Sequence, residues 1–166
     1  MKKLVMAMVL AAGLGSVMVA GAAELKGWRT GTGNVIQQAG AQYFEAGRAN
    51  ILEPMMLKTN LADGNPLNDP LLLDVRFEAD YMIGKIPGAI RIADFDKMLT
   101  EENLDKLDQA LADHIAATGN DKIVVYCHLG QMSGLLSGVL GSLGYNVKTL
   151  KLGYNMGWLM DVKPMM

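Results

Sequence analysis

The chain has 166 residues, 51% of them hydrophobic, enough to build one well-packed domain. Its 15 basic and 17 acidic residues give a net charge of −2, and no basic run is interleaved with aromatics, so the electrostatic footprint of a nucleic-acid binder is absent. One cysteine, Cys127, and two separated histidines are too few for a Cys/His zinc site, and no metal centre is expected.

In chain order, the first segment reads MKKLVMAMVLAAGLGSVMVAGAAEL. Lys2 and Lys3 give a positive start, Leu4 to Val19 an apolar run and Ala20-Gly21-Ala22 a small-residue exit, the plan of a secretory signal peptide. An uncleaved anchor is the alternative. Against it, the run is short, rich in Gly and Ala, and has no basic flank after it. Residues 1–22 are therefore expected to be removed after Ala22 or Ala23. The mature protein would be exported (periplasmic in a two-membrane bacterium), with no stable membrane span after cleavage.

Residues 23–50 read as an N-terminal extension, polar and glycine-punctuated. Its one candidate helix, near Asn34 to Ala46, has Ile36, Ala39, Tyr43 and Phe44 close to one face. From Ile51 to the end the pattern is that of one α/β domain. A short helix is expected after Pro54, and turns at DGNP and NDP follow it. Leu71 to Val75 is a compact buried strand, and a turn at Pro87-Gly88 leads into a short strand ending at Ile92. Leu104, Leu107, Leu111 and Ile115 repeat at helical spacing, with Thr100 as the cap and Gly119 as the stop. KIVVYC is too apolar to face water on either side and belongs in the middle of a parallel sheet. A helix beginning near Ser133 is expected to bury Leu135, Leu136, Val139, Leu140 and Leu143. NVKTLKL reads as the last strand and GYNMGWLMDV as a turn into a terminal helical piece.

Cys127 closes the central strand, where α/β sheets hold their ligands. Exported proteins usually carry cysteines in pairs, and a lone one can form no intramolecular bridge. Cys127 is thus either core filler or a thiol kept for chemistry. The sequence that follows it, HLGQMSG, favours chemistry. A turn at Gly130 can aim successive backbone N–H groups into an anion-binding concavity, and the next helix adds its positive end. Both stabilise a thiolate, the nucleophilic form of the residue.

Three blocks then resemble the rhodanese family of sulfurtransferases. LLLDVRFEADYMIGKIPGAIRI is similar to the family's strand ending in Asp-x-Arg and its Gly-His-Ile-Pro-Gly-Ala turn, with Lys85 in place of the His. IVVYCHLGQMSG resembles the active-site strand and Cys-x-x-Gly loop, and LGYNVKTLKLGYNMGW the block that closes the domain. Together they span roughly Ile51 to Trp158.

The resemblance implies a single α/β domain with a five-stranded parallel sheet and helices on both faces. It implies that Cys127 takes a sulfane sulfur from thiosulfate or polysulfide as a persulfide and passes it to a thiol or cyanide by a ping-pong mechanism. No cofactor or metal is needed. The backbone of His128, Leu129, Gly130, Gln131, Met132 and Ser133 would cradle the terminal sulfur. Many members carry Arg where this chain has Met132, and a thioether cannot pair with an anionic donor. The phosphatase-type loop would need Arg at position 133, where Ser133 stands.

Asp74 and Arg76, at a strand end, could orient the loop or attract a donor, but an ion pair stiffening the turn is the favoured reading. His128 could serve as a proton partner or face solvent. Lys85, Lys148 and Lys151 could supply the charge that Met132 does not. His114 and Trp158 read as structural. The rival functions are a sulfur-carrying or partner-binding module without turnover, with a protein partner, and a thiol-based redox sensor.

Overall fold

The structure is a computed structural model and describes residues 32–160. The chain divides into two compact units, Met1–Ala41 and Gln42–Met166. The expected signal peptide at 1–22 lies outside the described residues, as do residues 23–31 of the extension and the end of the terminal piece from 161 on. No helix among the described residues is long and apolar enough to cross a membrane.

Helix α1 (Thr32–Glu45) forms within two residues of the expected bounds, but its apolar positions do not share a buried face. Ile36 and Phe44 are exposed. Tyr43 is half-buried in the second unit, and its hydroxyl donates to the Val147 carbonyl at 3.2 Å.

The second unit continues with a 3₁₀ turn (Gly47–Asn50), β1 (Ile51–Leu52), α2 (Pro54–Leu61), β2 (Leu71–Asp74) and α3 (Glu78–Ile83). A 3₁₀ turn (Phe95–Lys97), α4 (Glu101–Thr118), β3 (Ile123–Tyr126), α5 (Gln131–Ser142), β4 (Val147–Leu150) and a π-helical turn (Gly153–Leu159) follow. All strand pairs are parallel, in the order β1-β4-β3-β2, so KIVVYC lies inside the sheet as its composition required. Leu71 stands opposite Ile123 and Asp74 opposite Tyr126, which brings the ends of β2 and β3 level.

The sheet has four strands, not five. The strand expected to run into Ile92 is a single parallel bridge between Leu73 and Ile90. Ile90 N–H donates to Leu72 O and Asp74 N–H to Ile90 O, both at 2.9 Å. Beyond that pair the chain is drawn off the sheet edge. The Arg91 side chain turns back to the Arg76 carbonyl at 3.1 Å and forms an ion pair with Asp94. At the opposite edge β1 went unread, since two residues before Pro54 carry no alternation to detect.

Alternation along β3 sorts the core into two layers. Ile123, Val125 and Cys127 face the side covered by α4 and α5, with Leu71, Leu73, Met98, Leu107, Leu136 and Leu140. Val124 and Tyr126 face the other, with Leu57, Leu72, Ile86, Leu150 and Tyr154, and Trp158 packs partly buried against this layer. Each fully buried Leu or Ile contributes about 1.5–3 kcal/mol by leaving water.

In α4, Gly119 at φ 74 ends the helix as expected; Leu107 is buried, whereas Ile115 is exposed. In α5 the buried stripe is Ser133, Leu136, Ser137 and Leu140, while Leu135, Val139 and Leu143 are exposed. The face follows helical spacing from Ser133, one position round from the leucine-rich side. Small serines against the sheet let the helix lie close to it.

Candidate active site

The site is assembled at the carboxyl ends of β2 and β3. Cys127 follows β3 directly and is 5% exposed. Its Sγ accepts the N–H of Gly130 at 3.2 Å and that of Ser133 at 3.5 Å. Ser133 lies in the first turn of α5, so its N–H has no partner within the helix and is free to point at the sulfur. Burial pushes the thiol pKa up. The Ser133 amide and hydroxyl and the Leu129 and Gly130 amides outweigh it, and the net shift is downward.

The turn depends on Gly130, whose φ of 93 places it in the left-handed region. A side chain there would also crowd the backbone of Leu150, Leu152 and Gly153 at 3.2–3.4 Å. Ser133 itself is fully buried; its hydroxyl donates to Gly130 O at 3.2 Å and is 2.8 Å from Thr149 Oγ1. This side chain ties the loop to β4, and its amide serves the sulfur.

A second segment supports the loop from below, and the sequence had identified it only as the block closing the domain. Tyr154 N–H donates to Cys127 O at 2.8 Å and Asn155 N–H to His128 O at 2.9 Å. The chain makes this approach through two successive positive φ values, 59 at Leu152 and 58 at Gly153. A Cβ on Gly153 would lie 2.4 Å from Cys127 O and 2.8 Å from Gly130 N, both backbone atoms. Gly153→Ala should therefore cost about 2–3 kcal/mol by overpacking and strain. It should also slow Cys127 alkylation, because the amides lose their aim. Denaturant unfolding with iodoacetamide kinetics checks this, and wild-type thiol reactivity in the variant would refute it.

The lowered pKa has its own consequence. Only the thiolate attacks, so Cys127 reactivity should rise with pH through a midpoint below that of an ordinary thiol and be flat above it. Alkylation rates from acid to mildly alkaline pH measure the midpoint. One at or above that of the denatured protein would contradict the geometry.

Beside the thiol is a cleft of about 290 Å³ lined by Val75, Arg76, Phe77, Phe95, Asp96, Cys127, His128 and Met132. Phe95 N–H donates to Val75 O at 3.2 Å, which brings the 3₁₀ turn across to form its far wall. His128 Nε2 lies 3.2 Å from Asp80 Oδ2 on α3. Of the residues singled out from the sequence, Cys127, His128, Met132 and Arg76 share this cleft. Leu129, Gly130 and Gln131 line a shallower depression on the other side of the loop, with Ile51, Leu135 and Lys151.

Asp74 is fully buried and does not line the cleft. It receives Arg76 Nε at 3.0 and 3.1 Å and Nη2 at 2.6 Å, and Nη2 also donates to Gly84 O at 2.6 Å. The guanidinium lies 4.0 Å from the centre of the Tyr154 ring. This is the ion pair that stiffens the strand end, with only an edge of Arg76 reaching the cleft wall.

No lysine among the described residues lines the cleft. Lys85 sits 4.0 Å from the Tyr81 ring centre, Lys151 pairs with Glu53 at 2.7 Å, and Lys148 lines a separate hollow with Lys122. His114 is structural, its Nε2 3.0 Å from Asp69 O. Phe77, Phe95 and Asp96 were not anticipated. Phe77, an exposed aromatic directly after Arg76, was the available signal; Phe95 and Asp96 had none, since a tertiary hydrogen bond delivers them.

Residues 53–159 match the rhodanese-like domain family. Among solved structures, a Saccharomyces cerevisiae homolog of single-domain rhodanese and of the Cdc25 phosphatase catalytic domain aligns at 19% identity with a TM-score of 0.52. The alignment covers 64% of this chain and 79% of that one. A rhodanese-like domain protein from Staphylococcus aureus aligns at 19% identity and a TM-score of 0.49, over 65% of this chain and 89% of that one. No curated protein matches. With a Cys-ended central strand, an amide-lined loop and a family match over most of its length, the chain belongs to the rhodanese-like domain family.

Proposed function

We propose that the protein is a sulfurtransferase that carries sulfane sulfur on Cys127, taking it from a donor such as thiosulfate or polysulfide and giving it to a thiophilic acceptor. The observation that carries this reading is the thiol at the end of β3 with two amides at 3.2 and 3.5 Å, opening onto a cleft. Those N–H groups lower the thiol pKa for attack. They also stabilise the thiolate that departs when an acceptor removes the outer sulfur. Steady-state transfer from donor to cyanide or thiol tests the reading. Parallel double-reciprocal lines are expected for a persulfide intermediate, and absence of turnover with any donor would remove the enzymatic assignment.

A second reading, a carrier that holds persulfide for a partner protein, draws support from the exposed apolar residues on and just before α3, the helix whose Asp80 faces His128: Phe77, Met82 and Ile83. Persulfide formation without turnover would select it. An oxidation sensor is a third reading, which selective sulfenic acid formation on Cys127 would select. The proposed location is outside the cytoplasm, in the periplasm of a two-membrane cell, on the strength of residues 1–22. N-terminal sequencing should find the mature chain starting at Ala23 or Glu24. Retention of Met1 in a membrane fraction would overturn this.

A further inference from the structure

Resting on the sulfur-transfer reading above, we infer that the Cys127 cleft is built for organic persulfides and thiols, R–S–SH and R–SH, whose R group is apolar and uncharged, and against thiosulfate and other partners whose R group carries a negative charge. The walls are apolar: Val75, Phe77, Phe95 and Met132, with Phe77 64% and Met132 50% exposed and available to a ligand.

The charges in the cleft do not favour an anion. Arg76 is 4% exposed, with Nε and Nη2 bonded to Asp74 and Gly84 and its charge balanced by the fully buried Asp74. His128 faces the Asp80 carboxylate. Asp96 has no ion-pair partner among the described residues, so the one uncompensated charge in the wall is negative. A sulfonate carried to this wall would lose water and gain no cation.

An apolar R would instead lie against Phe77, Phe95 and the Met132 thioether, a soft surface for sulfur and carbon alike. At about 290 Å³ the cleft admits a small organic group. The amides of Gly130 and Ser133 hold the reacting sulfur whatever R is.

The chemistry balances without a redox partner. Cys127 thiolate attacks the outer sulfur of R–S–SH, forming the Sγ–S bond as the donor S–S bond breaks. The bonding pair leaves with R–S⁻, and the proton stays on the transferred sulfur or passes to water. In the second half an acceptor thiolate R′–S⁻ attacks that outer sulfur, giving R′–S–SH and Cys127 thiolate.

The test loads Cys127 with an excess of the persulfide of 2-mercaptoethanol, whose R group is uncharged, and removes the excess. Discharge is then followed with 2-mercaptoethanol and with 2-mercaptoethanesulfonate, each rate divided by that thiol's reaction with a free low-molecular-weight persulfide. The neutral thiol should be favoured by about tenfold, and the preference should shrink as salt rises. Asp96→Asn should narrow the ratio. Met132→Arg should narrow or reverse it and lower the thiosulfate KM by about tenfold to a hundredfold. Normal loading with equal or faster discharge by the sulfonate would overturn this inference alone. Failure of Cys127 to load would overturn the transfer reading itself, and the inference with it.

Discussion

Arg76→Ala should destabilise the fold by about 3–5 kcal/mol, a large part of what holds a domain of this size together. The reason is Asp74. Its side chain is fully buried, and Arg76 is its principal partner through three nitrogen–oxygen contacts of 2.6–3.1 Å. Removing the guanidinium leaves a carboxylate without water and without its counter-charge, and it also empties the ring face of Tyr154. Asp74 cannot neutralise itself by taking a proton from Tyr126: burial first, then the Asp74 carboxylate, push the Tyr126 hydroxyl pKa upward. Chemical denaturation of both proteins at neutral pH measures the effect. A loss under about 1 kcal/mol would mean that water reaches Asp74 and that the pair is a surface feature.

Cys127→Ser should reduce sulfur transfer to the uncatalysed background while leaving stability within about 1 kcal/mol of wild type. A serine hydroxyl is close in size and can accept the Gly130 and Ser133 N–H groups that now serve Sγ. It cannot form a persulfide at neutral pH, because its proton is held far more tightly than a thiol's. Parallel unfolding and transfer assays separate the two effects. A variant that unfolds, beside a wild type that transfers no sulfur, would show the thiol to be core filler.

The parts of this fold that could be read in the sequence were those where one residue pattern fixes one environment. KIVVYC has no polar position to turn outward, so it had to be a central strand, and β3 lies between β2 and β4. Cys127 at its end and Gly130 three residues on fixed the loop, because only that turn brings the amides of the next helix onto the sulfur.

Elsewhere the pattern was ambiguous or the deciding force lay far along the chain. The helix beginning after Gly130 has leucines on two faces, and Ser133 and Ser137, which reach the sheet side, decided which one was buried. The strand towards Ile92 shrinks to one bridge, beyond which Arg91 turns to Asp94 and to the Arg76 carbonyl; the second of these contacts reaches far along the chain and leaves no local trace. In the site, Asp74 and Arg76 could be paired from their spacing. Their burial, and the arrival of Phe95 and Asp96 in the cleft wall, could not be read from local pattern.

The most direct test of the central claim is the mass of the protein after brief exposure to an organic persulfide with an uncharged R group and removal of the donor, with the modified residue located by peptide mapping under non-reducing conditions. The account predicts the gain of a whole sulfur atom on Cys127, lost again when an acceptor thiol is added. An unmodified Cys127, or one carrying oxygen and no sulfur, would contradict it.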